Sequence, residues 1–278
     1  MPEAPKVFVV QPVPEVAIDR LREVAEVEVF PYSHRDASIA ELESAARRSD
    51  YIFCMHGTPI TASVVAGSPR VKAIAVTGHS DVDVAACEAA GVRLLMVPSS
   101  EEVTNGNRRA TADLMVALVL CLAYRVVEAD RYSRARGWFQ EMTMDLMGVG
   151  CEDKTVSLIG LGRVGRFAAP RLRAFGLEVL YTKRSRLPKE EEEELGVEWV
   201  GDRDELIRRG DFVSMLANFE EANLKLMGAR EIGLMKPGAY FVNVGRGRLV
   251  DEEALITALQ TGRIAGAGLD VFWSEPPM

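Results

Sequence analysis

The sequence has few of the residues that build metal centres and disulfide frameworks. Its 278 residues include three histidines and four cysteines. Cys54, Cys87, Cys121 and Cys151 form no CxxC pair, and no histidine cluster lies beside them. We therefore expect free thiols, no structural metal and a reducing compartment, the cytoplasm.

Long apolar runs and an excess of positive charge are also absent. The longest apolar run, Leu114–Ala123, is shorter than the roughly 20 residues that span a bilayer, and the amino terminus, MPEAPKVFVV, lacks the pattern of a signal peptide. The net charge of −8 argues against a general nucleic-acid surface. We expect a soluble protein with neither a membrane nor a nucleic-acid partner.

Short apolar runs alternate with helical patterns along the whole chain. Continuous Val, Ile and Phe runs separated by helices indicate parallel sheets covered on both faces. The fold class that we predict is α/β, with two doubly wound parallel-sheet domains, the second a Rossmann dinucleotide-binding domain. The predicted strands are Lys6–Val10, Val27–Phe30, Tyr51–Met55, Val71–Val76, Arg93–Met96, Thr155–Ile159, Glu178–Tyr181, Phe212–Leu216, Ala239–Asn243 and Gly266–Asp270.

A polar stretch marked by Gly and Pro, Pro98–Asn107, divides the two sets of strands. We place the domain boundary there, giving residues 1–103 and 104–278. A long helix is predicted over Arg109–Arg136. The acidic run Glu190–Glu194 is interpreted as a solvated helix face.

The sharpest motif is a GxGxxG loop between a predicted strand and a predicted helix. Gly160 permits the tight turn, Gly162 lets the backbone approach a pyrophosphate, and Gly165 lets the helix pack close to the strand. Free N–H groups at the helix start then meet the anion. The predicted cofactor-binding loop is Gly160, Leu161, Gly162, Arg163, Val164 and Gly165.

The end of the next strand bears on the choice of cofactor. NAD-binding versions of this motif carry an acid about 20 residues on, which bonds the ribose 2′-OH. Here the segment is Lys183, Arg184, Ser185 and Arg186, with three cations and no acid. Because arginine can hold a 2′-phosphate through paired charge-assisted bonds, we favour NADP(H), with NAD(H) as the alternative.

Four segments together resemble the D-isomer-specific 2-hydroxyacid dehydrogenases. They are Val76–Asp83 (VTGHSDVD), Gly160–Arg166 (GLGRVGR), Asn243–Leu255 (NVGRGRLVDEEAL) and Gly266–Pro277 (GAGLDVFWSEPP), in the family's order over nearly the whole chain. The stretch Leu180–Arg186 (LYTKRSR) is most similar to the glyoxylate/hydroxypyruvate reductase branch, which often uses NADPH.

The resemblance implies an oxidoreductase that transfers a hydride between NADP(H) and a small 2-keto or 2-hydroxy acid. It implies a flavodoxin-like amino-terminal substrate domain completed by a carboxy-terminal segment, and a homodimer. Arg246 would bind the substrate carboxylate and polarise the keto oxygen, and Glu275 would orient the catalytic histidine. The backbone at Thr77 and Gly78 would hold the substrate carboxylate. Further cofactor contacts would come from Ala217, Val244, Gly245 and Asp270.

Two features depart from the family pattern. The catalytic histidine would lie downstream of Glu275, beyond Met278, and none of His34, His56 and His79 falls at its place. We therefore interpret the sequence as part of a longer chain. Moreover, most members have a Pro-Leu pair beside the nicotinamide where this chain has Asn218 and Phe219, which leaves the substrate open.

Two other functions remain alternatives to the small-acid reductase. One is an NAD(H)-dependent dehydrogenase of another 2-hydroxy acid, such as a phosphoglycerate-like substrate. The other is a nicotinamide-binding regulator without turnover, since one fold hosts many functions.

Overall fold

The structure, a computed structural model, describes residues 4–55, 58–76, 82–96, 101–136 and 144–275. The chain forms two compact units, residues 1–99 and 100–278. The boundary that we predicted near residue 103 falls in the first turn of the helix that opens the second unit.

The first unit is a five-stranded parallel sheet with helices between its strands. Its elements are β1 (Lys6–Val9), α1 (Glu15–Arg22), β2 (Glu26–Val29), α2 (Ile39–Arg48), β3 (Tyr51–Cys54), α3 (Ala62–Ala66), β4 (Ala73–Val76), α4 (Val84–Ala89) and β5 (Arg93–Met96). The strand order is β2-β1-β3-β4-β5, the order of flavodoxin-like sheets. Apolar residues cover both faces: Phe8 packs in one buried cluster, whereas Val7 and Val9 pack in the other.

The second unit holds a larger parallel sheet. Its elements are α5 (Glu101–Ala123), α6 (Val126–Arg136), β6 (Thr155–Ile159), α7 (Arg163–Ala174), β7 (Glu178–Thr182), α8 (Lys189–Leu195), β8 (Val197–Trp199), α9 (Arg203–Arg209), β9 (Phe212–Met215), α10 (Ala229–Leu234), β10 (Tyr240–Asn243), α11 (Glu252–Gln260) and β11 (Gly266–Leu269). The strand order is β11-β10-β9-β6-β7-β8. This is the Rossmann order. Strands β6 to β8 are added toward one edge of the sheet, and β9 to β11 are added from β6 toward the other edge. Such folds bind ligands between β6 and β9, where the order of addition reverses. The predicted α/β fold class is thus confirmed.

The long helix predicted over Arg109–Arg136 is two helices. Arg125 adopts φ +53°, a left-handed conformation that ends α5, and α6 leaves at an angle of 58°. In the described ranges no single helix is long and apolar enough to cross a membrane, although this bent pair passes by length and composition. Ala112, Met115 and Val119 of α5 are fully buried in the core of the second unit.

Helix α5 also packs against the edge strand β11, whose sequence is GAGL. A Cβ atom at Gly268 would lie 3.0 Å from the Cβ of Leu118, and one at Gly266 would lie 3.2 Å from a methyl of Leu122. The two glycines therefore allow the leucines of α5 to approach the strand.

Candidate active site

The glycine loop between β6 and α7 has the backbone geometry of a phosphate cradle. Gly160 adopts φ +100°, which favours glycine, and a Cβ atom there would lie 2.9 Å from the backbone nitrogen of Ala217. At Gly165 a Cβ atom would lie 2.7 Å from a methyl of Leu161, so α7 packs close to its strand. Gly160 requires a residue without a side chain, whereas a side chain at Gly165 would have to displace the Leu161 methyl.

Gly162 differs because space is open above it. It is the N-cap of α7, no side chain caps the helix there, and a Cβ atom would meet no atom within 4 Å. The first helical hydrogen bond runs from the nitrogen of Arg166 to the oxygen of Gly162, which leaves the preceding N–H groups of the first turn for an anion. The open cradle fits the pyrophosphate of a dinucleotide.

A cavity of about 930 Å³ lies over this loop, and we call it the glycine-loop cavity. Its volume lies within the range of cofactor sites. It is lined by Arg108, Ile159, Gly160, Leu161, Gly162, Arg163, Val164, Gly165, Arg166, Thr182, Lys183, Arg184, Ser185, Arg203, Leu216, Ala217, Asn218, Glu220, Ala222, Asn223 and Leu226. All six residues of the predicted cofactor loop belong to this lining.

The predicted 2′-phosphate residues separate into two groups. Lys183, Arg184 and Ser185 line the glycine-loop cavity, whereas Arg186 is absent from its lining. Arg186 instead donates two hydrogen bonds to Glu192, at 2.9 and 2.7 Å, and its guanidinium lies 5.2 Å from the ring centroid of Trp199. The structure therefore brings two of the three cations to the cavity.

The acidic run on α8 is not simply a solvated face, as we had interpreted it. The side chain of Glu192 is only 7% exposed and accepts a 2.5 Å hydrogen bond from the hydroxyl of Tyr181. Hydrogen bonds from Arg186 and then Tyr181 lower the pKa of Glu192 to about 2. Burial, followed by the bond to Glu192, raises the pKa of Tyr181 to about 12. Glu191 likewise pairs with Arg166. The sequence alone does not reveal these partners, which come from β7, α7 and the loop before α8.

A second cavity, of about 490 Å³, contains the two residues that the resemblance assigns to catalysis. This arginine cavity is lined by Asn218, Phe219, Arg246, Gly247, Arg248, Phe272, Trp273 and Glu275. Asn218 also lines the glycine-loop cavity, so the two cavities meet at that residue.

The side chain of Asn243, at the end of β10, holds the turn that presents Arg246. Its Oδ1 accepts from the nitrogen of Gly245 at 3.0 Å, and its Nδ2 donates to the oxygen of Arg246 at 3.1 Å. The exposed Arg246 guanidinium donates to the oxygen of Gly245 at 2.8 Å. This turn places Arg246 at the carboxyl end of the sheet, where open α/β folds bind ligands.

Glu275 reaches the arginine cavity on a loop that lies against Gly247. A Cβ atom at Gly247 would lie 1.8 Å from the oxygen of Phe272, so only glycine permits this approach. The Glu275 carboxylate accepts from the nitrogen of Phe272 at 3.0 Å. The sequence motifs that contain Arg246 and Glu275 are far apart in the chain, and the structure brings both side chains to one cavity.

Other predicted residues fall elsewhere. Ala217 lines the glycine-loop cavity, whereas Val244, Gly245 and Asp270 are absent from the linings of both cavities. Asp270 is exposed, and its nitrogen donates to the oxygen of Asn243 at 3.0 Å.

Two predicted substrate contacts and two of the three histidines cannot be placed. Thr77 and Gly78, like His56 and His79, lie outside the described residues. His34 packs edge-on against Tyr32 in the first unit, with ring centroids 5.6 Å apart.

Several lining residues were not predicted, among them Arg248 and Glu220. The guanidinium of Arg248 lies 4.7 Å from the ring centroid of Phe219 and 5.7 Å from that of Trp273, which gives the arginine cavity a second cation. Glu220, on the loop after β9, lines the glycine-loop cavity. Position 248 directly follows the motif's GRG, so its charge was a visible signal, whereas Glu220 stood in no recognised motif.

Comparison with known families agrees with this geometry. Residues 7–187 match the model of the D-isomer specific 2-hydroxyacid dehydrogenase, catalytic domain, and residues 116–278 match that of the NAD binding domain of the same family. The chain belongs to the D-isomer-specific 2-hydroxyacid dehydrogenases and is an NAD(P)-dependent enzyme of that family.

The proteins that this chain resembles include glyoxylate reductases. The chain is 38% identical to a glyoxylate reductase of Thermococcus gammatolerans, over 98% of this chain and 80% of that protein. A putative D-isomer specific 2-hydroxyacid dehydrogenase from Polaromonas sp. JS6 66 superposes with a TM-score of 0.86 at 29% identity, covering 99% of this chain and 84% of that one. A glyoxylate reductase from Paecilomyes thermophila gives a TM-score of 0.69 at 27% identity, covering 100% and 84%.

Proposed function

We propose that the protein reduces a small 2-keto acid, glyoxylate or hydroxypyruvate, with NADPH as its preferred cofactor. The observation that carries this proposal is the meeting of the two cavities at Asn218. One contains the pyrophosphate cradle, and the other contains Arg246 and Glu275. A bound cofactor and a bound keto acid would thus be neighbours in the second unit.

Two residues of the arginine cavity, Arg246 and Glu275, have side chains suited to the reduction of a keto acid. A bound nicotinamide cofactor supplies the hydride. Arg246 binds the carboxylate of the acid and polarises its keto oxygen, where negative charge grows during reduction, so that a fixed guanidinium stabilises the transition state. Glu275, by resemblance to the family, orients the histidine that gives the proton and keeps that histidine charged.

The preference for NADPH rests on the rim of the glycine-loop cavity. Lys183, Arg184 and Ser185 line it where a dinucleotide fold with an NAD-type rim has an acid. Lys183 lines the cavity, and its charge, after the bonds from Arg166, also contributes to lowering the pKa of Glu191. A phosphate gains charge-assisted hydrogen bonds from such a group, whereas a 2′-hydroxyl gains much less.

We propose a small substrate because relatives that are 33–38% identical to this chain are named glyoxylate reductases. One observation favours a second candidate: Arg248 adds a cation to the arginine cavity, as a phosphoglycerate-like substrate would require. The free thiols of the four cysteines support a reducing compartment, the cytoplasm, and a homodimer is proposed from the family resemblance.

The test is nicotinamide oxidation by the protein expressed from its complete gene. Glyoxylate, hydroxypyruvate, pyruvate and a phosphorylated 2-keto acid would each be assayed with NADPH and with NADH. We expect the highest kcat/KM for glyoxylate or hydroxypyruvate with NADPH. Arg246→Gln should abolish turnover while nucleotide binding, measured by fluorescence titration, persists.

The alternatives give different results. A preference for the phosphorylated acid would replace the proposed substrate class, and a preference for NADH would refute our interpretation of the rim. Nucleotide binding without turnover of any of the four acids would overturn the proposed substrate class.

A further inference from the structure

The described lining of the glycine-loop cavity has more cationic than acidic side chains, although Arg166 and Arg203 pair with Glu191 and Glu231 outside it. Among its described lining residues are six cations, which are Arg108, Arg163, Arg166, Lys183, Arg184 and Arg203. Glu220 is the one acid in that described lining. A carboxylate in a cavity that otherwise suits phosphate groups needs an explanation, since it repels every phosphate that enters.

Glu220 pairs with the rim arginine. Arg184 Nη2 lies 2.8 Å from Glu220 Oε1, and Nη1 lies 3.3 Å from Oε2, a two-point contact. Arg184 follows β7 and Glu220 follows β9, and these strands flank β6 on opposite sides. The pair therefore spans the cavity above the strand that leads into the glycine loop.

The backbone of Glu220 is held in place by its own loop. The nitrogen of Glu220 donates to Oδ1 of Asn223 at 2.8 Å, and Nδ2 of Asn223 donates to the oxygen of Asn218 at 2.8 Å. Both side chains of the pair are exposed, Arg184 to 86% and Glu220 to 51%. An exposed pair of this kind is weak enough for a phosphate to displace.

We propose that Glu220 sets the cofactor specificity of this protein by competing with the 2′-phosphate of NADP(H) for Arg184. This inference rests on the proposed function, in which Arg184 serves the 2′-phosphate. Binding of a 2′-phosphorylated cofactor exchanges the carboxylate partner of Arg184 for the phosphate. A cofactor with a free 2′-hydroxyl leaves the Arg184–Glu220 pair intact. Glu220 thus lowers the preference for NADP(H) below the value that the rim cations alone would give.

The experiment compares two nucleotides that differ only in the 2′-phosphate. Dissociation constants for 2′,5′-ADP and 5′-AMP are measured by calorimetry on the wild type, Glu220→Gln, Arg184→Met and the double variant. Glu198→Gln is the matched control, because Glu198 forms a comparable exposed pair with Arg209 at 2.7 Å and neither residue lines the cavity.

Glu220→Gln should tighten 2′,5′-ADP binding about three- to tenfold, since the exposed pair and the like-charge repulsion are each worth up to about a factor of five. Binding of 5′-AMP should change less than about twofold, as should both constants in Glu198→Gln. Arg184→Met should weaken 2′,5′-ADP binding about tenfold or more through loss of charge-assisted bonds. In the Arg184→Met background, Glu220→Gln should tighten 2′,5′-ADP binding by less than half as much as it does in the wild type.

The outcomes separate this inference from the proposed function. A wild type that prefers 2′,5′-ADP through Arg184, with no response to Glu220→Gln, overturns the role of Glu220 alone. A wild type without preference that acquires one in Glu220→Gln supports the role of Glu220 and overturns the proposed preference for NADPH. Weaker 5′-AMP binding in Glu220→Gln would identify Glu220 as an acceptor for the ribose hydroxyl and overturn the competition.

Discussion

Replacing Gly162 with alanine should weaken dinucleotide binding and leave the fold stable, whereas the same replacement at Gly160 should destabilise the fold. Gly162 has φ −88° and ψ −157°, which any residue can adopt, and its Cβ atom would meet open space. Gly160 has φ +100°, and its Cβ atom would lie 2.9–3.1 Å from backbone atoms of Leu216 and Ala217. The two glycines are two residues apart and require glycine for different reasons.

The expected magnitudes follow from these contacts. At Gly162, alanine is a poorer N-cap and lowers the free energy of unfolding by a few tenths of a kcal/mol to about 1 kcal/mol. Alanine also restricts the unfolded chain, which raises the free energy of unfolding by about 0.4–1 kcal/mol. The net change in the free energy of unfolding should stay below about 1 kcal/mol. At Gly160, the strained conformation alone costs about 1–3 kcal/mol, and the contact with backbone adds to it. For a unit of this size, about 1 kcal/mol shifts Tm by about 2–4 °C.

Thermal unfolding by circular dichroism and titration with NADP(H) and NAD(H) measure the two effects. Gly162→Ala should keep Tm within about 4 °C of the wild type and weaken nucleotide binding about ten- to a hundredfold, as an added methyl does in a packed site. Gly160→Ala should lower Tm by about 4 °C or more. Unchanged nucleotide binding in a folded Gly162→Ala variant would refute the assignment of this loop as the phosphate cradle.

Three further changes test the rest of the second unit. Arg246→Lys should lower kcat/KM about a hundred- to a thousandfold, because a point charge does not replace the bidentate guanidinium, while the cofactor Kd stays the same. An unaltered kcat/KM would remove Arg246 from the mechanism. Because the folded-state pKa of Glu192 is depressed to about 2, its stabilising effect is present above the ordinary carboxyl pKa and is lost as pH falls toward 2. The Tm gap between wild type and Glu192→Gln should therefore narrow from pH 6 to pH 3; a constant gap would contradict the pKa shift. Phe219→Leu should raise kcat/KM for bulkier 2-keto acids relative to glyoxylate about tenfold, since it enlarges the arginine cavity, and an unchanged ratio in steady-state assays would show that Phe219 does not contact substrate.

Local sequence signals were sufficient where the structure depends on local chemistry. The strand Phe212–Met215 is buried along its whole length, so its apolar run was visible directly. The glycine loop was equally clear, because the turn, the open N-cap and the close helix packing each need glycine at a fixed spacing. The flavodoxin-like character of the first unit came from the family resemblance, and the strand orders themselves were not predicted.

The failures concern features that depend on distant or short segments. Strand β8 has three residues and one polar member, Glu198, too little for a periodic signal. The left-handed conformation of Arg125 broke a helix whose apolar and charged pattern continued through it. Arg186 appeared equivalent to Lys183 and Arg184 in the sequence, but its bonds to Glu192 form only in the folded chain. Charge counts along a segment do not reveal which cations are already neutralised.

The glycines of β11 link the folding of the active site to the helix that opens the second unit. The strand has almost no side chains of its own to bury, so Leu118 and Leu122 of α5 supply its apolar cover. Glu275 follows this strand, and its wall of the arginine cavity therefore depends on contacts with residues near the start of the unit. Helix α5 also packs on α7, the helix that the glycine loop opens, within one buried cluster. The phosphate cradle and this wall of the arginine cavity therefore depend on the same helix.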